Sequence, residues 1–333
     1  INDYIRMYHH AILLGITTLT SLDTANALAD IIASRFNENN TELVDINHLR
    51  TDKLKLNFIK MQSCGNDYIF FDNMDGKITC PESLAINFVD RHYGIGGDGI
   101  TLIEKSEVAD AKMRIFNKDG SEGAMAGNSI RCVAKYLFDN GLVKDKNITI
   151  ETLSGVKELQ LYTFNGKVSS VSVDMGKAVL DGKSIPSTLE GETVVGRKIS
   201  IGGQDYTVTL VNVGNPHCVV FCDKVDAVDV ANVGPMFEYA EYFPQRINAE
   251  FVRVVNDKTL KMRVWERGNG ETLACGTGAA ASVVAAVLNG YCKQDEDITV
   301  KVRGGDLIVR YSSDGSVRLT GSVKQVFEGT VEY

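Results

Sequence analysis

The chain has 333 residues, of which 44% are hydrophobic and 23% charged, and its formal net charge is −8. This length is enough for two domains with cores of their own, and the composition is that of an ordinary globular protein. The acidic balance, without a basic stripe interleaved with aromatic residues, excludes nucleic acid as an expected partner.

The cysteines and the apolar segments indicate the cellular compartment and the kinds of site to expect. Seven cysteines are scattered without the spacing of a disulfide framework, which predicts a reducing cytoplasm. The sequence has no CxxC or HxxxH pair, so we expect no metal site. The longest apolar run near the start, residues 11–16, is too short to cross a membrane and does not follow a signal-peptide pattern, so we expect no membrane association.

Residues 1–54 form a predicted N-terminal extension outside the repeat described next. Asp23 is a suitable N-cap, and the apolar residues around it have helical spacing, which predicts an amphipathic helix. These residues are Leu22, Ala25, Leu28, Ile31, Ile32 and Phe36. The apolar face of this helix should pack on the rest of the chain or on another subunit.

The second half of the chain repeats the first at an offset of 149 residues. Gly65-Asn66 recurs as Gly214-Asn215, Arg114-Ile115-Phe116 as Arg263-Val264-Trp265, and Asn140-Gly141 as Asn289-Gly290. After one inserted residue, Gly155 matches Gly305. A constant register of this length predicts a duplicated domain, with equivalent positions on opposite walls of one cleft.

Each half contains strand, hairpin and helix signals in the same order. Asn165-Gly166 and Asp314-Gly315 separate alternating segments and predict hairpins. One strongly helical segment in each half, 128–139 and 277–288, ends at Asn-Gly, which supplies a left-handed C-cap. The second helix is apolar nearly all round and should be buried. We therefore predict an α+β fold of two pseudo-symmetric domains, each a mostly antiparallel sheet around a central helix.

A GxGxxG pattern at Gly94, Gly96 and Gly99 resembles the dinucleotide fingerprint. Its context is wrong, because a helix-like segment precedes it and a strand-like segment follows it. A glycine-rich turn explains the pattern better than a nucleotide site.

Cys275 is the main candidate for chemistry, because Gly276, Thr277 and Gly278 open the following helix. Unpaired N–H groups at a helix start favour a thiolate or a bound carboxylate. A buried, inert cysteine would explain this position alone equally well. The surrounding glycines, with Glu266 and Arg267 just upstream, favour a functional role.

The equivalent segment of the first half offers a second helix start at Gly127-Asn128. Two helix starts facing one cleft could hold a carboxylate from both sides. A thiol on each wall could remove and return a proton at opposite faces of one carbon, as a stereoinversion requires. The counterpart of Cys275, however, is Ala126.

Six motifs in residues 55–333 resemble the diaminopimelate epimerase family: KMQSCGNDYIFFD, RHYGIGGDG, FNKDGSEGAMAGNSIRC, NVGNPHCVVF, RINAEF and WERGNGETLACGTGAA. The resemblance implies a homodimeric epimerase without pyridoxal phosphate or other cofactors. Such an enzyme interconverts LL- and meso-diaminopimelate, a small-molecule substrate, in lysine and peptidoglycan biosynthesis. It also implies that the last strand returns to the first domain, which gives predicted domains at 55–174 plus 322–333 and at 175–321.

The resemblance also assigns site residues. Cys275 is implied as a catalytic thiol, with Ala126 at the position of its missing partner. His217 is implied to tune thiol ionisation, although a purely structural histidine is an equal alternative. The implied substrate-binding residues are Asn66, Asn117, Gly127, Asn128, Asn215, Asn248, Glu266, Arg267, Gly276 and Thr277.

The sequence departs from the family pattern in three places. The family has cysteine where this chain has Ala126, and some members have a substrate-contacting glutamine where it has Gly99. Residues 1–54 match nothing associated with the family. A methyl group cannot carry a proton, so we expect this chain to be inactive or impaired in inversion, whether Ala126 was introduced or belongs to a native paralogue. Two alternatives remain, a racemase of another amino acid such as histidine or proline and a non-catalytic amino-acid-binding protein.

Overall fold

The computed structural model describes residues 55–182 and 184–333. The first half of this region contains eight strands and two helices. They are β1 (Lys55–Ser63), β2 (Asn66–Asp72), α1 (Pro81–Phe88), β3 (Gly99–Glu104), β4 (Ala111–Asn117), β5 (Glu122–Gly123), α2 (Gly127–Asp139), β6 (Asn147–Thr152), β7 (Gly155–Phe164) and β8 (Lys167–Lys177). The predicted N-terminal extension and its amphipathic helix lie outside the described residues.

The second half repeats this order, with one additional strand at its start and one at its end. Its elements are β9 (Arg197–Ile201), β10 (Gln204–Asn212), β11 (Pro216–Phe221), α3 (Val230–Glu238), β12 (Asn248–Asn256), β13 (Thr259–Glu266), β14 (Gly270–Glu271), α4 (Gly276–Leu288), β15 (Asp297–Val302), β16 (Gly305–Tyr311), β17 (Ser316–Ser322) and β18 (Lys324–Glu332). A short 3₁₀ turn, Val225–Ala227, precedes α3.

The duplication seen in the sequence extends to the bounds of the elements. Helices α1 and α3 are separated by the same 149 residues as α2 and α4, and β10 has the bounds of β1 shifted by that spacing. The sequence predicted α2 and α4, indicated a helix-like segment before Gly94 where α1 lies, and missed α3. Helix α3 has 9 residues and contains Pro235, so it does not show several turns of apolar periodicity.

One ladder of strands joins the two halves. Its order is β18, β1, β2, β3, β4, β6, β7, β8, β17, β16, β15, β13, β12, β11, β10 and β9. In each half two pairs are parallel, β2–β3 and β4–β6 in the first and β11–β12 and β13–β15 in the second. The remaining pairs are antiparallel. The predicted α+β fold of two duplicated, mostly antiparallel halves is thus confirmed.

The central helix of each half is buried in a separate apolar core. Ile130, Val133 and Leu137 of α2 pack with the inward residues of β6, β7 and β8. In α4 every residue from Ala279 to Ala286 is buried, as the apolar sequence predicted. Within the described residues no helix is long and apolar enough to cross a membrane.

The predicted turns form where the sequence placed them. Asn165 and Gly166 have φ values of 50° and 77° and connect β7 to β8, while the turn at Asp314-Gly315 connects β16 to β17. Helices α2 and α4 both continue into a glycine of positive φ, Gly141 and Gly290. Local turn chemistry therefore ends both central helices.

The predicted domain boundaries fall inside the two strands that join the halves. Residues 174 and 321 lie within β8 and β17, which pair with each other. Strand β18 pairs with β1 along its whole length, so the end of the described chain lies in the first half. The division at 55–174 plus 322–333 and 175–321 stays a prediction.

Two turns from different halves touch through their backbones. The β1–β2 turn at Cys64-Gly65 packs against Gly304 in the β15–β16 turn. A methyl group added at Gly304 would lie 1.7 Å from the carbonyl oxygen of Cys64. Only glycine permits this contact between the halves.

We predict that Gly304→Ala lowers the free energy of unfolding by about 3 kcal/mol, because two backbone segments must separate. Gly166→Ala is the control, since Gly166 has a φ of 77° but open space around it. It should cost only about 1–2 kcal/mol for a left-handed conformation. Urea unfolding followed by circular dichroism measures both, and a larger loss in Gly166→Ala would contradict the prediction.

Candidate active site

Ala126 and Cys275 occupy equivalent positions at the starts of the central helices. Ala126 is the N-cap of α2 with φ −133° and ψ 116°, and Cys275 is the N-cap of α4 with φ −121° and ψ 114°. Both residues line one cavity of about 430 Å³. The duplicated backbone thus brings both helix starts to the same cavity.

Ten of the residues predicted from the sequence line this cavity, namely Asn66, Asn117, Ala126, Gly127, Asn128, Asn215, Glu266, Cys275, Gly276 and Thr277. They come from both halves of the chain. The cavity has the size of a small-molecule site and mixes polar and apolar walls.

Three predicted site residues do not line the cavity. Arg267 is exposed, and its Nη1 atom donates to the carbonyl oxygen of Gln245 at 3.1 Å. Asn248 is buried. Its side-chain N–H donates to the Pro216 carbonyl at 2.7 Å, and its Oδ1 atom accepts from the Arg267 backbone N–H at 2.9 Å. His217 is completely buried. These residues support the wall of the cavity, and a direct contact with a ligand would require Arg267 to change its rotamer.

The thiol of Cys275 accepts a hydrogen bond from the backbone N–H of Gly278 at 3.3 Å and lies 3.4 Å from the hydroxyl of Thr277. Burial raises its pKa well above the ordinary value, and the carboxylates of Glu266 and Glu250 raise it further. The two hydrogen bonds act in the opposite direction. Without a ligand, Cys275 is therefore a protonated thiol at neutral pH.

Glu266 is the carboxylate in the cavity wall. Burial raises its pKa, whereas the hydrogen bond from Thr272 and the nearby His217 lower it. The Thr272 hydroxyl donates to Oε1 of Glu266 at 2.5 Å. In the lining of the same cavity, the Oδ1 atom of Asn66 is buried without a hydrogen-bond partner within the described ranges. An ammonium group would satisfy both acceptors.

A buried arginine supports the helix start at Ala126. Arg131 is fully buried, and its guanidinium donates to the Gly127 carbonyl at 2.9 Å and to Oδ1 of Asn128 at 2.5 Å. The Ser63 hydroxyl accepts a further bond at 2.7 Å. Sequence reasoning missed Arg131, because a charged residue inside a helix usually points to solvent.

Sequence reasoning also missed four polar residues of the cavity wall, Tyr68, Ser154, Lys157 and Asn269. Tyr68 and Asn269 lie inside the recognised motifs GNDYI and ERGNGE, so proximity to those motifs was a usable signal. Lys157 lies on β7 with no motif around it, and its position depends on strand pairing.

A larger cavity of about 1020 Å³ is lined by residues of β6, β7, β8, β15, β16 and β17, and its wall contains no cysteine and no helix start. Across residues 55–182 and 184–333 no group of three or more histidine, cysteine or acidic side chains is arranged to hold a metal ion.

Comparison with known proteins decides the family. The family model described as diaminopimelate epimerase matches residues 58–180 and 209–326. The chain is 48% identical over 278 residues to diaminopimelate epimerase of Acetivibrio thermocellus. The alignment covers 83% of this chain and 99% of the relative. It is 46% identical to the enzyme of the same name from Methanococcus maripaludis, with 83% and 100% coverage. The chain belongs to the diaminopimelate epimerase family.

More distant solved structures share the fold. A PhzF-family phenazine biosynthesis protein of Bacillus anthracis has a TM-score of 0.62 at 15% identity, covering 84% of this chain and 100% of its own. A hydroxyproline epimerase from Agrobacterium vitis, bound to trans-4-hydroxy-L-proline, has a TM-score of 0.60 at 15% identity, with 83% and 91% coverage. At this identity the likeness concerns the fold alone.

We predict that Glu266→Gln shifts the pH profile of Cys275 alkylation to lower pH. Removal of the carboxylate lowers the thiol pKa, and the shift is partial because burial remains the larger cause. Iodoacetamide labelling followed by peptide mass spectrometry measures the rate, with exposed Cys80 as internal reference.

Glu271→Gln is the control, because the carboxylate of Glu271 pairs with Arg263 and Arg303 instead. The control should leave the Cys275 profile in place. A Cys275 profile that moves to higher pH, or not at all, in Glu266→Gln would contradict the assigned cause.

Proposed function

We propose that this chain has the site of a diaminopimelate epimerase, in which positions 126 and 275 act on opposite faces of one substrate carbon. The observation that carries the proposal is their equivalent placement as N-caps on one cavity. The names of relatives with 46–48% identity support the substrate. In this reaction one thiolate removes the α-proton and the opposite thiol returns another, so the configuration inverts.

The substrate carboxylate next to the reacting carbon would lie between the two helix starts. Backbone N–H groups of Gly127-Asn128 and Gly276-Thr277 are oriented for an anion there. The same groups would stabilise charge that develops on this carboxylate when the α-proton leaves. This proposal uses no pyridoxal phosphate or other cofactor. The N–H groups of the two helix starts would instead make the α-proton easier to remove.

The second amino-acid end of the substrate would lie against polar side chains of the wall. We assign its ammonium group to the acceptors Asn66 and Glu266, with Asn117 and Asn215 nearby. Arg267 would bind the distal carboxylate in bidentate fashion after leaving the Gln245 carbonyl, with Asn248 holding its backbone. His217 would act from behind the wall, through Asn215.

With Ala126 in place of a thiol, proton exchange at the substrate carbon and inversion of that carbon become separate questions. Cys275 can exchange the α-proton of one stereochemical configuration with solvent, but the opposite face has only a methyl group. We therefore propose that this chain exchanges protons without inverting the centre. A role in lysine and peptidoglycan biosynthesis in the cytoplasm, and a homodimeric assembly, follow for a chain with both thiols by analogy with the family.

We predict that Ala126→Cys gives interconversion of LL- and meso-diaminopimelate, at least about a hundredfold faster than the parent chain, because the missing acid–base group is supplied. Proton NMR in D₂O follows α-proton loss, and chiral chromatography follows inversion. Ala126→Ser is the control, since a hydroxyl of similar size is a poor base. A folded Ala126→Cys variant without inversion would count against the proposal.

A racemase of a single amino acid is the second candidate, because the fold also occurs in a proline racemase and a hydroxyproline epimerase. Glu266 and the unpartnered Asn66 oxygen favour a substrate with a second ammonium group. In calorimetric competition, diaminopimelate should bind at least about tenfold more tightly than histidine or proline. Tighter binding of either single amino acid would favour the second candidate.

A further inference from the structure

A histidine and a glutamate are buried together behind the wall of the cavity. His217 on β11 and Glu250 on β12 lie on neighbouring parallel strands, and neither side chain is exposed. The Nδ1 atom of His217 lies 2.7 Å from Oε1 of Glu250, and its Nε2 atom lies 2.8 Å from Oδ1 of Asn215. A chain of hydrogen bonds thus connects a buried carboxylate with a side chain that lines the cavity.

Glu250 also lies beneath the first turn of α4. A methyl group added at Gly278 would lie 2.8 Å from Oε1 of Glu250, so the carboxylate fills the space of a side chain at that position. The backbone N–H of Gly278 donates to the thiol of Cys275. The carboxylate therefore contacts both the helix start and the residues behind the wall.

The first half of the chain serves as an internal comparison. At the equivalent positions it has Tyr68, Thr101 and Ser129 in place of His217, Glu250 and Gly278. The hydroxyls of Thr101 and Ser129 form a buried hydrogen bond of 2.7 Å beneath α2. A neutral pair is thus sufficient beneath the central helix of the first half, so support of the helix alone does not explain the carboxylate of Glu250.

The energetic cost leads to the same conclusion. A fully buried carboxylate carries a large desolvation penalty unless it is paired and hydrogen-bonded. The Oε2 atom of Glu250 has no hydrogen-bond partner among residues 55–182 and 184–333. The interaction with His217 is the contact that compensates for the buried charge.

We propose that Glu250 is a positioning residue that holds His217 as an imidazolium behind the cavity. An ionised carboxylate and an amide oxygen only accept hydrogen bonds, so the contacts of Nδ1 and Nε2 require a proton on each ring nitrogen. The cation fixes the amide of Asn215 at the wall and lies near Glu266, whose pKa it lowers. The titratable neighbours of the pair are Glu266 on β13, Cys275 at α4 and Cys218 on β11.

The proton positions are tested in the full chain by NMR with ¹⁵N-labelled histidine. The parent should show a proton on both ring nitrogens of His217, assigned by their loss in His217→Asn. In Glu250→Gln the side-chain amide can donate to Nδ1, so the proton should remain on Nε2 alone. Glu250→Leu should give the same neutral ring without a hydrogen bond at Nδ1.

Glu238→Gln is the matched control, because Glu238 is a second buried carboxylate of the same half that binds Trp265 and the Gly268 backbone instead. It should leave both His217 protons in place. A bare Nδ1 or a bare Nε2 in the parent, or an unchanged imidazolium in a folded Glu250→Gln or Glu250→Leu variant, would overturn the proposal.

The consequence for substrate rests on the proposed function and is measured in the Ala126→Cys background. Addition of Glu250→Gln should raise the KM for diaminopimelate about tenfold or more, with a smaller change in kcat, because Glu266 loses the nearby cation and the neutral ring holds Asn215 by a weaker hydrogen bond. Glu158→Gln, an exposed change on β7, is the kinetic control.

Failure of the proposed function and failure of the positioning role of Glu250 give different results. An inactive Ala126→Cys chain would reject the proposed function but leave the NMR result intact as a test of the imidazolium. An active chain whose KM does not respond to Glu250→Gln would reject the positioning role, whatever the NMR shows.

Discussion

The first turns of α2 and α4 carry N–H groups that no helical carbonyl can satisfy. The extended backbone at Ala126 and Cys275 directs these turns to one cavity, and Asn66 presents an unpartnered amide oxygen to the same space. Apolar packing at this point would leave buried polar groups unpaired, at about 1–3 kcal/mol each. The cavity therefore offers donors to an anionic group and an acceptor to a hydrogen-bond donor.

Gene duplication explains how two such helix starts come to face each other. Because β8 pairs with β17, the two half-sheets form one ladder, and the strand order on either side of this pair is the same. The contact between Cys64 and Gly304 fixes the halves at a second point. The scaffold thus positions residues 126 and 275 through backbone contacts, and the chemistry can change by substitution at either site without loss of the fold.

The parts of the structure that depend on local chemistry could be predicted from the sequence. The bounds of α2 and α4 were predicted to within one residue, because Asn-Gly ends each helix and the repeat confirmed the register. The orientation of Arg267 and the burial of Asn248 were not predictable, because both depend on contacts between distant segments. Glu250 lies in a run that reads as an ordinary buried strand, and only strand pairing brings it to His217.

The two halves share a backbone but differ in buried charge. In the first half, the guanidinium of Arg131 on α2 donates to the Gly127 carbonyl, while beside α4 the carboxylates of Glu266 and Glu250 disfavour a thiolate at Cys275. A thiol at position 126 would therefore lie near a cation, and the thiol at position 275 lies near two carboxylates. In a chain with both thiols, such an arrangement would separate the ionisation of two otherwise equivalent groups, favouring the thiolate at position 126 and the thiol at position 275. A symmetric duplication alone could not produce this difference, and the substitutions behind the helix starts supply it.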